Sequence, residues 1–258
     1  MNLKDVIVLI PLSTVKKVVK KVEDLLRNLH SCPLKIDSLE KWTIFFVLEK
    51  SSTTLGAVKA LRKADFNTDA LALSRSVIEN LANLTYLFDK REERLELFLK
   101  YEYIEKYQAL KEFENDFPAE AISEELKEEI NENYHKYKNL FPNKFSWSGK
   151  SVVKMLSECS FHTDFAMAYK MSSRYLHTSL GALNNFMESC HNPCDKKLPK
   201  ETDFQKLNRD DGDLALLISA LAVFNLIELF FRIFCLELPP YFLQAQEEIS
   251  TLVSEQQP

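Results

Sequence analysis

The chain has 258 residues, of which 46% are hydrophobic and 28% are charged, and this balance excludes wholesale disorder. Only 4 residues are glycine, which disfavours folds that depend on glycine-rich hairpin turns, Rossmann loops or phosphate-binding loops. The net charge of −5 provides no general attraction to nucleic acid or to anionic lipid, although a local basic face stays open.

In the first half of the chain, apolar residues recur at steps of three and four, which is the spacing of one face of an α-helix. An N-terminal amphipathic helix is expected within residues 1–35, where Val15 to Leu29 form an apolar stripe and lysines fill the other face. Further helices are predicted over about 38–61, 67–90, 92–117 and 123–140. The helix over 67–90 is apolar nearly all round, so we expect it to be buried on most sides.

The second half continues the helical pattern. Helices are predicted over 150–158, 163–189 and 213–238, followed by a short C-terminal helix. Residues 190–213 contain Pro193, Pro199 and several charges, and are predicted to form a long surface loop. The sequence therefore predicts an all-α fold, a multi-helix bundle of about eight or nine helices, in a single domain over residues 1–258.

One segment is long and apolar enough to span a bilayer, from Leu214 to Leu238. Asn225, Glu228 and Arg232 fall within it, and charged side chains at bilayer depth are costly. We therefore predict a buried central helix and no stable membrane insertion. The N-terminus lacks a signal-peptide cleavage pattern, and the five scattered cysteines predict free thiols, so a cytoplasmic location is expected.

Two charged residues lie within the apolar third helix. Arg75 and Glu79 are spaced i,i+4, on a stripe of small and polar residues opposite Val77. On a peripheral helix they would form an ordinary surface ion pair. On a central helix they would lie in a polar seam and need partners, as charged groups at functional sites often do. Both interpretations stay open.

A second polar stripe lies on the seventh predicted helix and includes Tyr169, Ser173 and His177. Histidine acts as a general acid or base near neutral pH, and a serine one turn earlier can orient it. The sequence shows no acid that would complete a catalytic triad, and an isolated histidine more often has a structural role.

Cys190, His191 and Cys194 offer potential metal ligands within five residues. No second ligand pair occurs at zinc-finger spacing, and P-loop, nucleophile-elbow and H-E-x-x-H motifs are absent from the sequence. We therefore predict no metal and no cofactor.

Three segments resemble an uncharacterised family of bacterial all-helical proteins. Residues 73–79, followed by 83–87, resemble its L-x-R-x-x-x-E signature and the Tyr-Leu that follows it. Residues 147–151 resemble its tryptophan-containing loop, and residues 169–177 its Y-x-x-x-S-x-x-x-H segment. The resemblance extends from about Trp42 to Asn185. It implies a helical fold and a site with catalytic candidates Arg75, Glu79 and His177, and substrate-binding candidates Tyr169, Ser173 and Lys150.

The family resemblance extends loosely to HEPN-type helical proteins, many of which are ribonucleases of toxin–antitoxin and phage-defence systems. Their usual motif places four to six residues between arginine and histidine, whereas Arg174 and His177 are closer together. The resemblance implies a metal-independent, ribonuclease-like effector, in which His177 is the general base and Arg75 stabilises charge on the phosphate. The alternative is a non-catalytic helical module that binds a protein or a small molecule. RNA or a protein is thus the expected partner, and a homo-oligomer stays open.

Overall fold

The computed structural model describes residues 11–116, 122–141, 146–159, 163–176 and 209–254. In this part of the chain 85% of the residues are helical, and it contains nine α-helices and no strand. The prediction of an all-α, multi-helix fold is therefore confirmed.

The helices follow the predicted order, and most of their ends differ from the prediction by a few residues. Residues 177–189 of the predicted seventh helix lie outside the described part of the chain. The first five are α1 (Leu12–His30), α2 (Leu39–Lys63), α3 (Asn67–Asp89), α4 (Arg91–Asp116) and α5 (Glu124–Tyr137), with a 3₁₀ turn at Lys138–Leu140. The remaining four are α6 (Val152–Glu158), α7 (Thr163–Leu176), α8 (Arg209–Ile233) and α9 (Pro240–Ser254). Ser38, Ser123 and Ser151 cap the N-termini of α2, α5 and α6. Each hydroxyl accepts a hydrogen bond from the backbone N–H three residues later.

The chain divides into two compact units, which are described separately. Unit 1 comprises Met1–Ala82 and Ser160–Pro258, and unit 2 comprises Asn83–Cys159. In unit 1, α8 packs against α1 and α2, and α9 packs against α1. The core of this unit includes fully buried Ile44 and Phe230, and the ring of Phe242 stacks on Phe224 at 4.8 Å. The prediction of one domain over residues 1–258 stays a prediction.

Helix α8 is the most apolar element. By length and composition alone it could cross a membrane, but 78% of its most apolar window is buried inside the protein. The side-chain amide of Asn225 donates to the backbone carbonyl of Leu221 at 2.7 Å, and Arg232 pairs with Glu228, which lies four residues earlier on the same helix. Such burial is typical of the core helix of a globular protein, and the absence of membrane insertion stays a prediction.

The ends of α8 differ from the prediction for specific reasons. The helix begins at Arg209, so Asp213 lies inside it, where its carboxylate accepts a hydrogen bond from Nε of buried Arg62 at 2.6 Å. Cys235 adopts a left-handed conformation with φ of 54°, which ends the helix before Leu238. Residues 209–213 of the predicted loop are therefore helical, and residues 190–208 lie outside the described part of the chain.

Unit 2 contains α4 and α5, which pack against each other. Tyr103 stacks on Tyr137 at 5.4 Å, and Tyr107 stacks on Tyr134 at 3.7 Å. The later residue of α4 stacks on the earlier residue of α5, so the two helices run antiparallel. These ring pairs provide apolar contact on helices whose outer positions are mostly charged.

Candidate functional site

Arg75, Glu79 and Tyr169 form a closed hydrogen-bonded cluster in unit 1. Nε of Arg75 donates to Oε1 of Glu79 at 2.8 Å, and Nη2 of Arg75 donates to the Tyr169 hydroxyl at 2.9 Å. The Tyr169 hydroxyl in turn donates to the same Oε1 of Glu79 at 3.0 Å. Arg75 also lies over the Tyr169 ring, with 4.9 Å between the guanidinium carbon and the ring centroid. This polar cluster joins α3 to α7.

The cluster uses one edge of the guanidinium group. Nε and Nη2 form the side edge of the arginine fork, and both of the Arg75 contacts lie on it. At the end of the fork, Nη1 makes no hydrogen bond within the described part of the chain, and Nη2 has a second N–H group besides the one that faces Tyr169. Two parallel N–H groups at that end match the two oxygens of a phosphate or a carboxylate.

The cluster is half-buried, since the side chains of Arg75 and Glu79 are 25% and 34% exposed. Burial by itself would lower the pKa of Arg75, but the hydrogen bonds and charges of Glu79 and Tyr169 outweigh it and raise the pKa. Burial, followed by the charge of Glu79, raises the pKa of the Tyr169 hydroxyl. Arg75 is therefore charged and Tyr169 protonated at neutral pH.

Helix α3 presents this pair because its other faces are occupied. Val77 and Ile78 are fully buried, and Asn80 donates to the hydroxyl of Ser51 on α2 at 2.9 Å. On α7, Ala168 is buried beside Tyr169. Of the two interpretations left open by the sequence, the geometry corresponds to a polar seam between helices, with a partner 94 residues away.

Two further candidates, Ser173 and His177, were predicted on the same helix as Tyr169. Ser173 donates its hydroxyl to the backbone carbonyl of Tyr169 at 2.7 Å, so this hydrogen bond stays within the helix. His177 lies just beyond Leu176, outside the described residues, and its assignment as the catalytic base stays a prediction.

The possible metal ligands from Cys190 to Cys194 also lie outside the described residues. Within the described residues, no group of three or more His, Cys, Asp or Glu side chains could hold a metal ion.

Lys150, the third substrate-binding candidate, belongs to unit 2. Its ammonium donates to Glu158 and lies 5.0 Å from the centre of the Tyr86 ring. These contacts, first with Glu158 and then with Tyr86, raise the pKa of Lys150. Lys150 is therefore held in a cluster with unit 2 partners.

Arg94, which is not among the residues predicted from the sequence, organises this second cluster. Arg94 is 7% exposed, lies 3.6 Å from the centre of the Tyr86 ring, and donates to the Tyr86 carbonyl and to Asp89. The other side of the cluster is Trp147, whose indole N–H donates to Asn83 at 2.8 Å. In the sequence, only the eight-residue spacing between Tyr86 and Arg94 hinted at this contact. The spacing brings the two side chains together because the chain changes direction between α3 and α4, and the sequence does not show that change.

The fold and these two clusters define an all-α protein with a half-buried arginine–glutamate–tyrosine network. The chain belongs to the DUF5677 family, a family of unknown function, which matches residues 41–196. The matched region includes Arg75, Glu79, Tyr169, Arg94 and Trp147. No curated protein and no solved structure matches the chain. The expected membership of an uncharacterised helical family is therefore confirmed.

Proposed function

We propose that Arg75 is a preorganised binding group for a phosphate and that the ligand is RNA. The observation that supports this proposal is the use of one guanidinium edge by Glu79 and Tyr169, which orients the other end of the group. A guanidinium fixed before binding loses less entropy when it contacts an anion, and its planar fork can hold two phosphate oxygens at once.

In its catalytic form, the proposal is a metal-independent ribonuclease-like effector. His177, assigned from the sequence, takes the proton of a ribose 2′-hydroxyl, whose oxygen then bonds to the adjacent phosphorus while the bond to the 5′-oxygen breaks. The leaving 5′-oxygen takes a proton from water, and Arg75 stabilises the added negative charge on the phosphate oxygens. Glu79 and Tyr169 position Arg75. The setting we propose is the cytoplasm of a bacterium, in a toxin–antitoxin or antiviral-defence system.

A second candidate function is a non-catalytic helical module that binds a protein or a small molecule. It is favoured by the charge balance of the cluster, because the carboxylate of Glu79 neutralises Arg75 and the pair adds no net positive potential. In this case the cluster fixes the packing of α3 on α7, and binding takes place on another surface.

The two candidates are distinguished by RNA binding and RNA cleavage measured beside the melting temperature. The variants are Arg75→Ala, Glu79→Gln and His177→Ala, with Arg232→Ala as the matched control. Arg232 forms an i,i+4 pair with Glu228 as Arg75 does with Glu79, but its side chain is 71% exposed and lies on α8. RNA binding is measured by fluorescence anisotropy with a labelled single-stranded oligonucleotide at several salt concentrations.

For the effector, Arg75→Ala should leave the fold intact and lower cleavage by roughly a hundredfold, the typical cost of a lost preorganised donor. His177→Ala should lower it by roughly a hundredfold or more. Glu79→Gln should have the smaller effect because it only loosens Arg75. Arg232→Ala should behave as the wild type. If the Arg75 variant melts much earlier and no variant changes RNA binding, the network is structural and the module is correct.

A further inference from the structure

We propose that the exposed face of α2 is the interface of a two-fold symmetric homodimer. One side of this helix is in the core, where Ile44, Leu48 and Leu55 are essentially inaccessible. The opposite side is exposed although it carries few charges, those of Glu49 and Lys50 near its middle. The residues that define this face are Leu39, Trp42, Phe46, Thr53, Ala57 and Ala60.

The exposed aromatic residues make this face unusual for a solvated helix. Leu39, Trp42 and Phe46 are 53%, 55% and 63% exposed. Since a large aromatic side chain presents roughly 150–250 Å², Trp42 and Phe46 together expose about 250 Å² to water. They are one helical turn apart, so their apolar surface is contiguous, and Leu39 extends it along the helix. Contiguous apolar patches of a few hundred Å² are often functional.

The two halves of the face are complementary in size. Its N-terminal half carries the bulky residues Leu39, Trp42 and Phe46, and its C-terminal half carries small ones. A β-carbon added at Gly56 would meet nothing within 4 Å, so the backbone there is open to an approaching side chain. When two copies of α2 pack antiparallel, the bulky half of each copy lies against the small half of the other.

Charge specifies the same arrangement. Glu49 and Lys50, adjacent residues of opposite sign, lie near the middle of α2. A two-fold axis between them brings Glu49 of one copy opposite Lys50 of the other, and Trp42 opposite Ala57. A parallel pairing in register would place like charges together. Glu49 also pairs with exposed His30, and its second oxygen can accept from a lysine.

The area sets the expected strength. A helix of 25 residues is about 37 Å long, and an antiparallel contact along it buries roughly 400–500 Å² per copy. The two copies together bury roughly 800–1,000 Å², which is below the roughly 1,200–2,000 Å² of stable specific interfaces, so the expected dimer is weak and reversible. A second copy suits the face better than an unrelated helix because size and charge are both self-complementary.

The experiment is sedimentation velocity of the full chain over a wide concentration range, with folding of each variant checked by circular dichroism. The wild type should show a reversible monomer–dimer equilibrium, and Phe46→Glu should raise the dissociation constant about tenfold or more. Phe66→Glu is the matched control, since Phe66 is 58% exposed but lies outside α2, and it should leave the equilibrium unchanged.

Charge reversal tests the register. Glu49→Lys and Lys50→Glu should each weaken the dimer, because each places like charges opposite one another. The double variant, with both changes, restores opposite charges across the axis and should recover the wild-type dissociation constant. A monomer at every concentration, a dimer unaffected by Phe46→Glu, or a double variant as weak as the single ones would overturn the proposal.

Discussion

Tyr169 binds an arginine that lies 94 residues before it, since its hydroxyl accepts a hydrogen bond from Nη2 of Arg75 at 2.9 Å. The same hydroxyl donates to Glu79 at 3.0 Å, so one tyrosine hydrogen-bonds to both members of the ion pair. The orientation of the guanidinium, and with it the proposed phosphate contact, therefore depends on how α7 packs against α3.

Removing that hydroxyl tests the cluster without changing its charges. Tyr169→Phe keeps the ring beside Arg75 but loses both hydroxyl hydrogen bonds, so we expect the free energy of unfolding to fall by about 1 kcal/mol. The loss stays modest because the side chains of Arg75 and Glu79 are partly exposed. The measurement is urea unfolding. Tyr107→Phe is the control, since its ring contact with Tyr134 is retained. Equal effects of the two changes would contradict a special role for Tyr169.

Two helical glycines should respond to alanine with opposite sign. At Gly212 a β-carbon would lie 2.0 Å from Oδ1 of Asn67 and 2.4 Å from Cδ of Arg62, and both side chains are buried. Gly212→Ala should therefore lower the free energy of unfolding by about 1–3 kcal/mol. Gly56→Ala meets no neighbour and should raise it by about 0.5–1 kcal/mol through helix propensity. Urea titrations at low protein concentration measure both. A stabilising Gly212→Ala would show that Asn67 and Arg62 move aside easily.

Arg94 should not tolerate lysine. Lysine lacks the planar group that stacks on Tyr86, and its single ammonium is poorly placed to reach both the Tyr86 carbonyl and Asp89. Arg94→Lys should lower the stability of unit 2 by about 1–3 kcal/mol. Trp147, 9% exposed, reports on this cluster once Trp42→Phe removes the other tryptophan.

The matched control for this change is Arg27→Lys. The side chain of Arg27 is 73% exposed and pairs with Asp24, so its replacement should cost less than about 0.5 kcal/mol. If Trp147 fluorescence reports the same unfolding midpoint for Arg94→Lys and for the control, lysine replaces arginine without loss, and the stacking of Arg94 on Tyr86 does not stabilise unit 2.

Cys159 should be a slow nucleophile. Burial, followed by the charge of Asp89, raises the pKa of its thiol from 9.0 to about 11. The reactive thiolate is thus rarer below pH 9, and alkylation at pH 8 should be roughly a hundredfold slower than for a thiol with the ordinary pKa. Exposed Cys235 is the internal comparison, with both rates followed by mass spectrometry.

The raised pKa of the Cys159 thiol makes the stability of the protein depend on pH in a defined direction. A thiol whose pKa is raised by folding contributes stability that is fully present below pH 9, and this stability is lost as pH rises toward about 11. Cys159→Ala should accordingly flatten the decline in stability at alkaline pH. Alkylation of Cys159 as fast as that of Cys235 at pH 8 would contradict the buried environment.

Local chemistry in the sequence was sufficient for much of the fold. The serine before α2 caps it because its hydroxyl reaches a backbone N–H three residues away, and this requires no knowledge of the rest of the protein. The pairing of Arg75 with Glu79 was predictable for the same reason, since residues four apart on a helix are neighbours. The apolar periodicity likewise indicated the order of the helices.

Only the tertiary structure decided which distant groups meet. Asp213 lies at the predicted start of the helix over 213–238, but in the structure it is inside α8 and its carboxylate accepts a hydrogen bond from Arg62, 151 residues earlier in the chain. The exposure of Trp42 and Phe46 was equally undetermined, because the sequence of α2 is apolar on two faces and does not say which one is covered. Periodicity specifies the faces of a helix, whereas the free energy of packing all the helices together selects which faces are buried and which polar groups become partners.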